Sequence, residues 1–97
     1  MIYIFDLDGT LCTQEEDYSK AEPYEERIFK VNELYEQGNK IIIDTARGSN
    51  TGIDWRNLTE QQLRKWKLKY HNLRIGEKYC ADFYIDDKAY NSNEFFK

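Results

Sequence analysis

Cysteine is scarce in this chain: Cys12 and Cys80 stand in unrelated contexts without a C-x-x-C spacing, which leaves a reduced thiol pair as the default and motivates no disulfide. No apolar run approaches the roughly 18 residues that a membrane span needs, and no basic-then-apolar leader precedes the first apolar segment. The expectation is a soluble, cytoplasmic protein. Basic residues are in deficit, with 14 Lys and Arg against 18 Asp and Glu, a net charge of −4 and a pI near 5.0. That balance argues against a general nucleic-acid surface or an anionic membrane surface, either of which needs a basic stripe. The single histidine, His71, sits beside Tyr70 and reads as packing rather than chemistry. Internal repeats, low-complexity segments and linkers are absent, so the 97 residues read as one domain, 1–97, burying about two thirds of its unfolded surface.

What the chain does have is an apolar run that ends abruptly in carboxylates: Ile2-Tyr3-Ile4-Phe5-Asp6-Leu7-Asp8-Gly9-Thr10. Tyr3, Ile4 and Phe5, without a polar residue between them, predict a short central strand covered on both faces. Nothing in such a strand requires Asp6 and Asp8. In an extended segment they point to the same side, at the carboxyl end where open α/β sheets bind ligands. Gly9 then lets the chain leave in a conformation that most residues avoid.

Further along, Cys12 to Ala21 is polar and acidic and reads as a loop over the end of that strand. Pro23 marks a helix start, Glu22, Glu25 and Glu26 favour its first turn, Tyr24, Ile28, Val31, Leu34 and Tyr35 give the apolar spacing, and Gly38 ends it. Lys40-Ile41-Ile42-Ile43-Asp44-Thr45 is a second strand, so a right-handed βαβ unit brings Thr45 to the same sheet edge as Asp6 and Asp8. Ala46 to Asn57 has no periodic face and is a candidate substrate-contacting loop, in which Asp54-Trp55 reads as an anchor or as one wall of a pocket. Thr59 reads as the N-cap of a second helix, with Gln62 returning the bond and Leu58 stapled on Leu63. Leu63, Trp66 and Tyr70 form its apolar stripe; Arg64, Lys65, Lys67 and Lys69 read as its solvated face. A third strand is predicted near Asn72 to Ile75 and a fourth over Asp82 to Asp86. Phe95 and Phe96 are expected to seal the sheet from a terminal turn or helix.

Asp6-Leu7-Asp8-Gly9-Thr10 resembles the first motif of the haloacid dehalogenase superfamily, whose phosphatase members carry DxDGT. The blocks Asp44-Thr45-Ala46-Arg47-Gly48-Ser49 through Asp54-Trp55 and Tyr84-Ile85-Asp86-Asp87-Lys88-Ala89 follow in order, and are similar to small uncapped phosphatases found with bacterial capsule and sugar-nucleotide genes. The resemblance spans nearly the whole chain. It implies an α/β fold: a small Rossmann-like three-layer sandwich with a mainly parallel sheet of strand order 4-1-2-3. Where larger members insert a cap domain, Cys12 to Ala21 is too short to make one.

The resemblance also implies a chemistry. Asp6 is the nucleophile that forms an aspartyl-phosphate, and Asp8 protonates the leaving alcohol and later takes a proton from water. Thr45 hydrogen-bonds the phosphoryl group, and Lys78 neutralises the nucleophile and phosphate. Lys78 stands in Gly76-Glu77-Lys78-Tyr79 where relatives place the lysine between Gly and Pro, and Lys88 is its rival. Gly9, Thr10, Ala46 and Arg47 are the substrate-contacting positions. Arg47 either clamps a second anionic group of the substrate or pairs with the acidic edge. Asp44 is a strand-end hydrogen-bonding residue.

Two carboxylates about 4 Å apart repel by roughly 4 kcal/mol at an effective dielectric of 20, so Asp6, Asp8, Asp86 and Asp87 gathered at one edge call for a cation. Hard oxygen donors beside a phosphate suit Mg²⁺. In the resembled family it is held by the counterparts of Asp6 and Asp86 and by the backbone carbonyl at Asp8, with Asp87 on a metal-bound water. The activity so implied is a Mg²⁺-dependent phosphomonoesterase acting on a small phosphorylated substrate, such as a sugar phosphate or a lipid- or nucleotide-linked intermediate of surface polysaccharide synthesis. Net acidity disfavours a polynucleotide. With no cap, the site is covered by a large substrate, by the Ala46 to Asn57 loop or by another subunit of a homo-oligomer. Two other classes stand beside it: a phosphorylatable receiver-like switch, and a non-catalytic binding module of the same fold. Receivers place the acidic pair first and a solitary phosphoacceptor later, the reverse of the order here, and an idle module loses Asp6 or Asp8.

Overall fold

The computed structural model describes residues 1–48, 53–75, 83–86 and 90–96. The opening apolar run forms β1 (Ile2–Asp6), the middle strand of a five-stranded sheet. β2 (Lys40–Thr45) and β4 (Phe83–Asp86) flank it, β3 (Asn72–Ile75) lies outside β2, and a two-residue β5 (Tyr90–Asn91) lies outside β4. Every pairing between these strands is parallel among the described residues, so they deliver their carboxyl ends to one edge. Two residues are too few to leave a pattern, and β5 was not legible in the sequence.

Three α-helices complete the described fold: α1 (Glu25–Glu36), α2 (Arg56–Lys65) and α3 (Ser92–Phe95). Ile28, Val31 and Leu34 are the buried face of α1, as their spacing predicts. The helix stops where expected. Gly38 adopts φ +92°, and the amides of Gly38 and Asn39 donate back to the carbonyls of Tyr35 and Leu34 at 3.1 and 3.2 Å. α2 does not start as the sequence suggests: it begins at Arg56, whose amide is held by Asp54 Oδ1 at 3.0 Å, and Thr59 lies inside its first turns. The helix ends at Lys65, and Lys67 turns the chain with φ 60°, so Lys67 and Lys69 belong to the exposed connection beyond the helix.

Strand alternation divides the core. Phe5, Ile41, Ile43 and Ile85 share one sheet face and one cluster with Leu7, Val31, Leu34 and Leu63, against which Phe95 and Phe96 pack. Fully burying each such aliphatic side chain is worth about 1.5–3 kcal/mol. All three helices therefore lie on this face. Ile4 and Ile42 are as well buried but point to the opposite one, and the third layer of the expected sandwich is not found among the described residues. Among them, too, no helix is long and apolar enough to cross a membrane.

The segment after β1 is a closed flap rather than a free loop. Cys12 pairs with Pro23 in an antiparallel bridge; the Thr13 amide donates to the Glu22 carbonyl at 2.8 Å, and the Tyr24 amide to the Leu11 carbonyl at 2.9 Å. At its tip is a single 3-10 turn, Tyr18–Lys20. Asp17 caps that turn by accepting from the Ser19 amide at 3.0 Å, and the hydrogen bonds from Ser19 hold its carboxyl below the ordinary range.

Candidate active site

The edge where the parallel strands end is assembled by register. Asp6 stands opposite Asp44 of β2, and Phe5 stands opposite Ile85 of β4. Asp6 and Asp86 are thus the next residues of two paired strands, whose backbones run about 4.8 Å apart. Strands from opposite ends of the chain thus finish side by side at this edge. Thr45, one residue past Asp44, ends β2 at the same edge.

Beyond Asp6 the chain folds over its own strand end. Leu7 is fully buried, and its carbonyl accepts from the amides of Thr10, Leu11 and Cys12 at 3.2, 2.9 and 3.3 Å. Gly9, with φ +82°, makes that reversal. Thr10 is buried, and among the described residues its Oγ1 has no hydrogen-bond partner. The Thr10 carbonyl accepts from Arg27 Nη1 at 2.9 Å, while Nη2 of Arg27 donates to Asn93 Oδ1 at 2.7 Å. Arg27 therefore ties the motif loop to α3, a role that its place in an exposed-looking stretch of α1 gave no sign of.

Asp8 faces an arginine. Arg47 Nε donates to Asp8 Oδ2 at 2.9 Å and Nη2 to Oδ1 at 2.8 Å, a two-pronged pair in which the arginine side chain is 0 % and the aspartate 15 % exposed. Nη1 donates to Thr59 Oγ1 at 3.1 Å and to Gln62 Oε1 at 2.6 Å, both on α2. The guanidinium lies 4.7 Å from the centre of the Tyr18 ring, and Gln62 Nε2 donates to the Tyr18 carbonyl at 2.7 Å. One open alternative is decided here and one reading is corrected. Arg47 is enclosed and paired with Asp8, the second of the two alternatives its sequence position offered. Thr59 and Gln62 do not form a capping box; their three-residue spacing puts both on the helix face turned towards Arg47.

The other residues fall into place around this pair. The Arg47 amide donates to Thr45 Oγ1 at 3.1 Å, which leaves the threonine proton to be donated elsewhere. Ala46 is exposed beside it. Cys12 is buried with its thiol 3.6 Å from Asp8 Oδ1. Burial first, and the Asp8 charge second, push that thiol up to about 12, with Arg47 opposing. Trp55 meets the Tyr18 ring edge-on at 5.1 Å, which suits a loop anchor. His71 accepts from the Ile41 amide through Nδ1 at 3.0 Å and stacks on Tyr35, a structural role. Lys78, its rival Lys88, Asp87 and Cys80 lie outside the described residues, as does the side chain of Asp86. No group of three His, Cys, Asp or Glu side chains is gathered as a metal site among the described residues.

No family model matches the chain, and neither does any curated protein. Solved structures do. Two chains of Pnkp1/Rnl/Hen1 complexes, one of them the Pnkp1/Rnl/Hen1 RNA repair complex, share the fold with a TM-score of 0.62 each. They are 23 % and 25 % identical over 84 % and 81 % of this chain, which spans only 30 % and 27 % of theirs. The crystal structure of an MCSG target from Vibrio cholerae superposes with a TM-score of 0.78 and 31 % identity, covering 99 % of this chain and 88 % of that one. Likeness of that extent, in sequence and in fold, means that the chain belongs to the same family as the Vibrio cholerae protein.

Proposed function

We propose that the chain is a phosphomonoesterase of the haloacid dehalogenase type, working through an aspartyl-phosphate on Asp6 and dependent on Mg²⁺. The observation that carries this reading is the register of β1 against β4, in which Asp6 and Asp86 follow directly on the pair Phe5 and Ile85. Two carboxylates at adjoining strand ends are a hard-oxygen donor set, and that set fits Mg²⁺. Asp6, Asp86 and the Asp8 carbonyl would hold the ion, with Asp87 on its water. When bound, it supplies positive charge against the phosphate oxygens. The Asp8 side chain, tied to Arg47, stays off the metal.

In this reading an Asp6 oxygen bonds to phosphorus while the ester bond to the alcohol breaks, and Asp8, which enters the step in its acid form, gives its proton to the departing oxygen and is left as the carboxylate paired with Arg47. Water then attacks phosphorus, its proton passes to Asp8, and inorganic phosphate leaves with Asp6 restored. Thr45 donates its hydroxyl proton to a phosphoryl oxygen, and Lys78 adds a cation. The unpartnered, buried Thr10 Oγ1 supports a loop built around a missing polar group. The substrate class follows from the resemblance: a sugar phosphate or a related metabolite of surface polysaccharide synthesis, handled in the cytoplasm.

The test is release of inorganic phosphate from a panel of phosphorylated metabolites with and without Mg²⁺, with Asp6→Asn as the blank. RNA with terminal phosphates belongs in the panel, since chains of like fold come from an RNA repair complex. Activity of Asp6→Asn equal to the parent's removes Asp6 as nucleophile. A phosphoprotein that persists for hours after acetyl phosphate treatment favours the receiver-like switch instead.

A further inference from the structure

We infer that Arg47 is a positioning residue for Asp8, setting the aspartate where its proton reaches the departing oxygen, and that α2 and the Tyr18 turn set Arg47 in place. The inference rests on the proton-transfer role proposed for Asp8. Its own basis is geometric. The fork from Nε and Nη2 occupies one acceptor site on each Asp8 oxygen and fixes the plane of the carboxylate; the Cys12 thiol takes the second site on Oδ1 at 3.6 Å, so Oδ2 keeps the site for the reacting oxygen, on a side chain that is 15 % exposed. A single-point contact would let the carboxylate turn; two do not.

The arginine is in turn fixed from three directions. Its backbone amide is held by Thr45 at the end of β2, and its Nη1 by Thr59 and Gln62 of α2. The Tyr18 ring covers the guanidinium. Gln62 cannot release Arg47 by flipping its amide without losing the Tyr18 carbonyl, to which Nε2 donates. The side chain has no exposed surface through which to meet a substrate, so whatever it does in the reaction it does through Asp8.

Positioning and mere support differ in a measurable way. A proton from Asp8 matters most when the departing alcohol is a poor leaving group, and little when it leaves readily as an anion. The experiment therefore compares kcat/KM for p-nitrophenyl phosphate and phenyl phosphate, a quantity that reports the first irreversible step and not the later attack of water. Arg47→Met is expected to lose about 100-fold on phenyl phosphate, the scale of a displaced catalytic group, and less than about tenfold on p-nitrophenyl phosphate. Thr59→Val and Gln62→Leu should show the same asymmetry in weaker form, and Thr59→Ser should restore the parent ratio. These α2 variants carry the test if Arg47→Met does not fold, as judged by circular dichroism.

Equal losses on both esters across these variants would overturn the inference, since that is what loosened packing alone gives. Asp8→Asn separates the two ideas. If it shows the asymmetry and the Arg47 and α2 variants do not, the positioning inference falls and the proposed function stands. If Asp8→Asn shows no asymmetry, or the parent hydrolyses neither ester, the proposed role of Asp8 falls and takes the inference with it.

Discussion

Removing Asp8 should destabilise this protein far more than a surface carboxylate would, whatever the protein catalyses. In Asp8→Ala the guanidinium of Arg47 stays enclosed, with Thr59, Gln62 and the Tyr18 ring about it but no counter-charge. Stripping one partner from a buried ion pair typically loses about 3–5 kcal/mol. A chain of 97 residues at ~0.05–0.15 kcal/mol per residue has about 5–15 kcal/mol in all, so roughly a fifth or more would go. With a urea m-value of about 1–3 kcal/mol/M, the unfolding midpoint should fall by ~1 M or more. Arg47→Met leaves Asp8 near water and is milder, near ~1–3 kcal/mol, the loss expected when Thr59 Oγ1 and Gln62 Oε1 lose their donor. The double variant has no stranded charge, so it should be more stable than the two single losses added together by about 2 kcal/mol. Urea unfolding of the four proteins measures this cycle directly. A loss under ~1 kcal/mol for Asp8→Ala, against the ~3–5 kcal/mol scale, or strict additivity, would mean that Arg47 finds water or another anion and is not the enclosed group described.

Glycine offers a sharper contrast. Gly9→Ala meets only Gln14 Oε1 at 3.4 Å and should lose about 1–2 kcal/mol for its φ of +82° alone. Gly48→Ala carries a similar φ of +81° and would also drive a methyl to 2.2 Å from the Ile53 carbonyl oxygen, so it should lose distinctly more in the same urea titration. Arg27→Met frees the Thr10 carbonyl and Asn93, and hydrogen exchange in α3 should quicken by tenfold or more, a scale of about 1.5–3 kcal/mol for bonds made by a charged donor. Cys12, held near 12, should resist alkylation in the native protein at pH 8 and react once urea unfolds it. Since its folded value is the raised one, the unfolded chain gives up this proton first, and stability should fall as pH climbs from the ordinary cysteine range to about 12.

What could be read from the residues alone was whatever depends on neighbours along the chain. The apolar run before Asp6, the spacing of Ile28, Val31 and Leu34 and the stop at Gly38 are local patterns, and they became β1, α1 and its end. That β1 and β2 end at one edge was legible too, because parallel strands in a βαβ unit put their carboxyl ends together, whereas the place of β4 beside β1 came from the family resemblance. Thr59 and Gln62 show where this stops. Their spacing is that of a capping box, yet the same spacing puts two side chains on one helix face, and no local pattern tells whether they turn back to the backbone or outward to a distant donor. Arg47 was undecided for the same reason: its direction is set by where α2 packs. Tyr18, in a run of acidic loop residues, offered no pattern at all, and it covers the guanidinium.

The energetics of the Asp8 and Arg47 pair bear on what the pair is for. Enclosing a guanidinium and a carboxylate takes both out of water, and their attraction does little more than offset that loss; apolar residues of the same volume often serve stability equally well or better. A small domain whose core already joins Phe5, Leu7, Ile41, Ile43, Leu63 and Ile85 on one face has apolar material to spare for that volume. Holding the fold together is therefore a weak account of Arg47. What the pair provides, and what leucine or methionine could not, is a carboxylate whose plane is fixed to within the tolerance of two short hydrogen bonds while its side chain stays 15 % exposed. That orientation supports the proposed function, in which Asp8 passes a proton along a defined line. A receiver-like switch has no use for it, since its phosphoryl group must outlast the encounter with water, and an oriented acid and base two residues from the phosphoacceptor would shorten that lifetime.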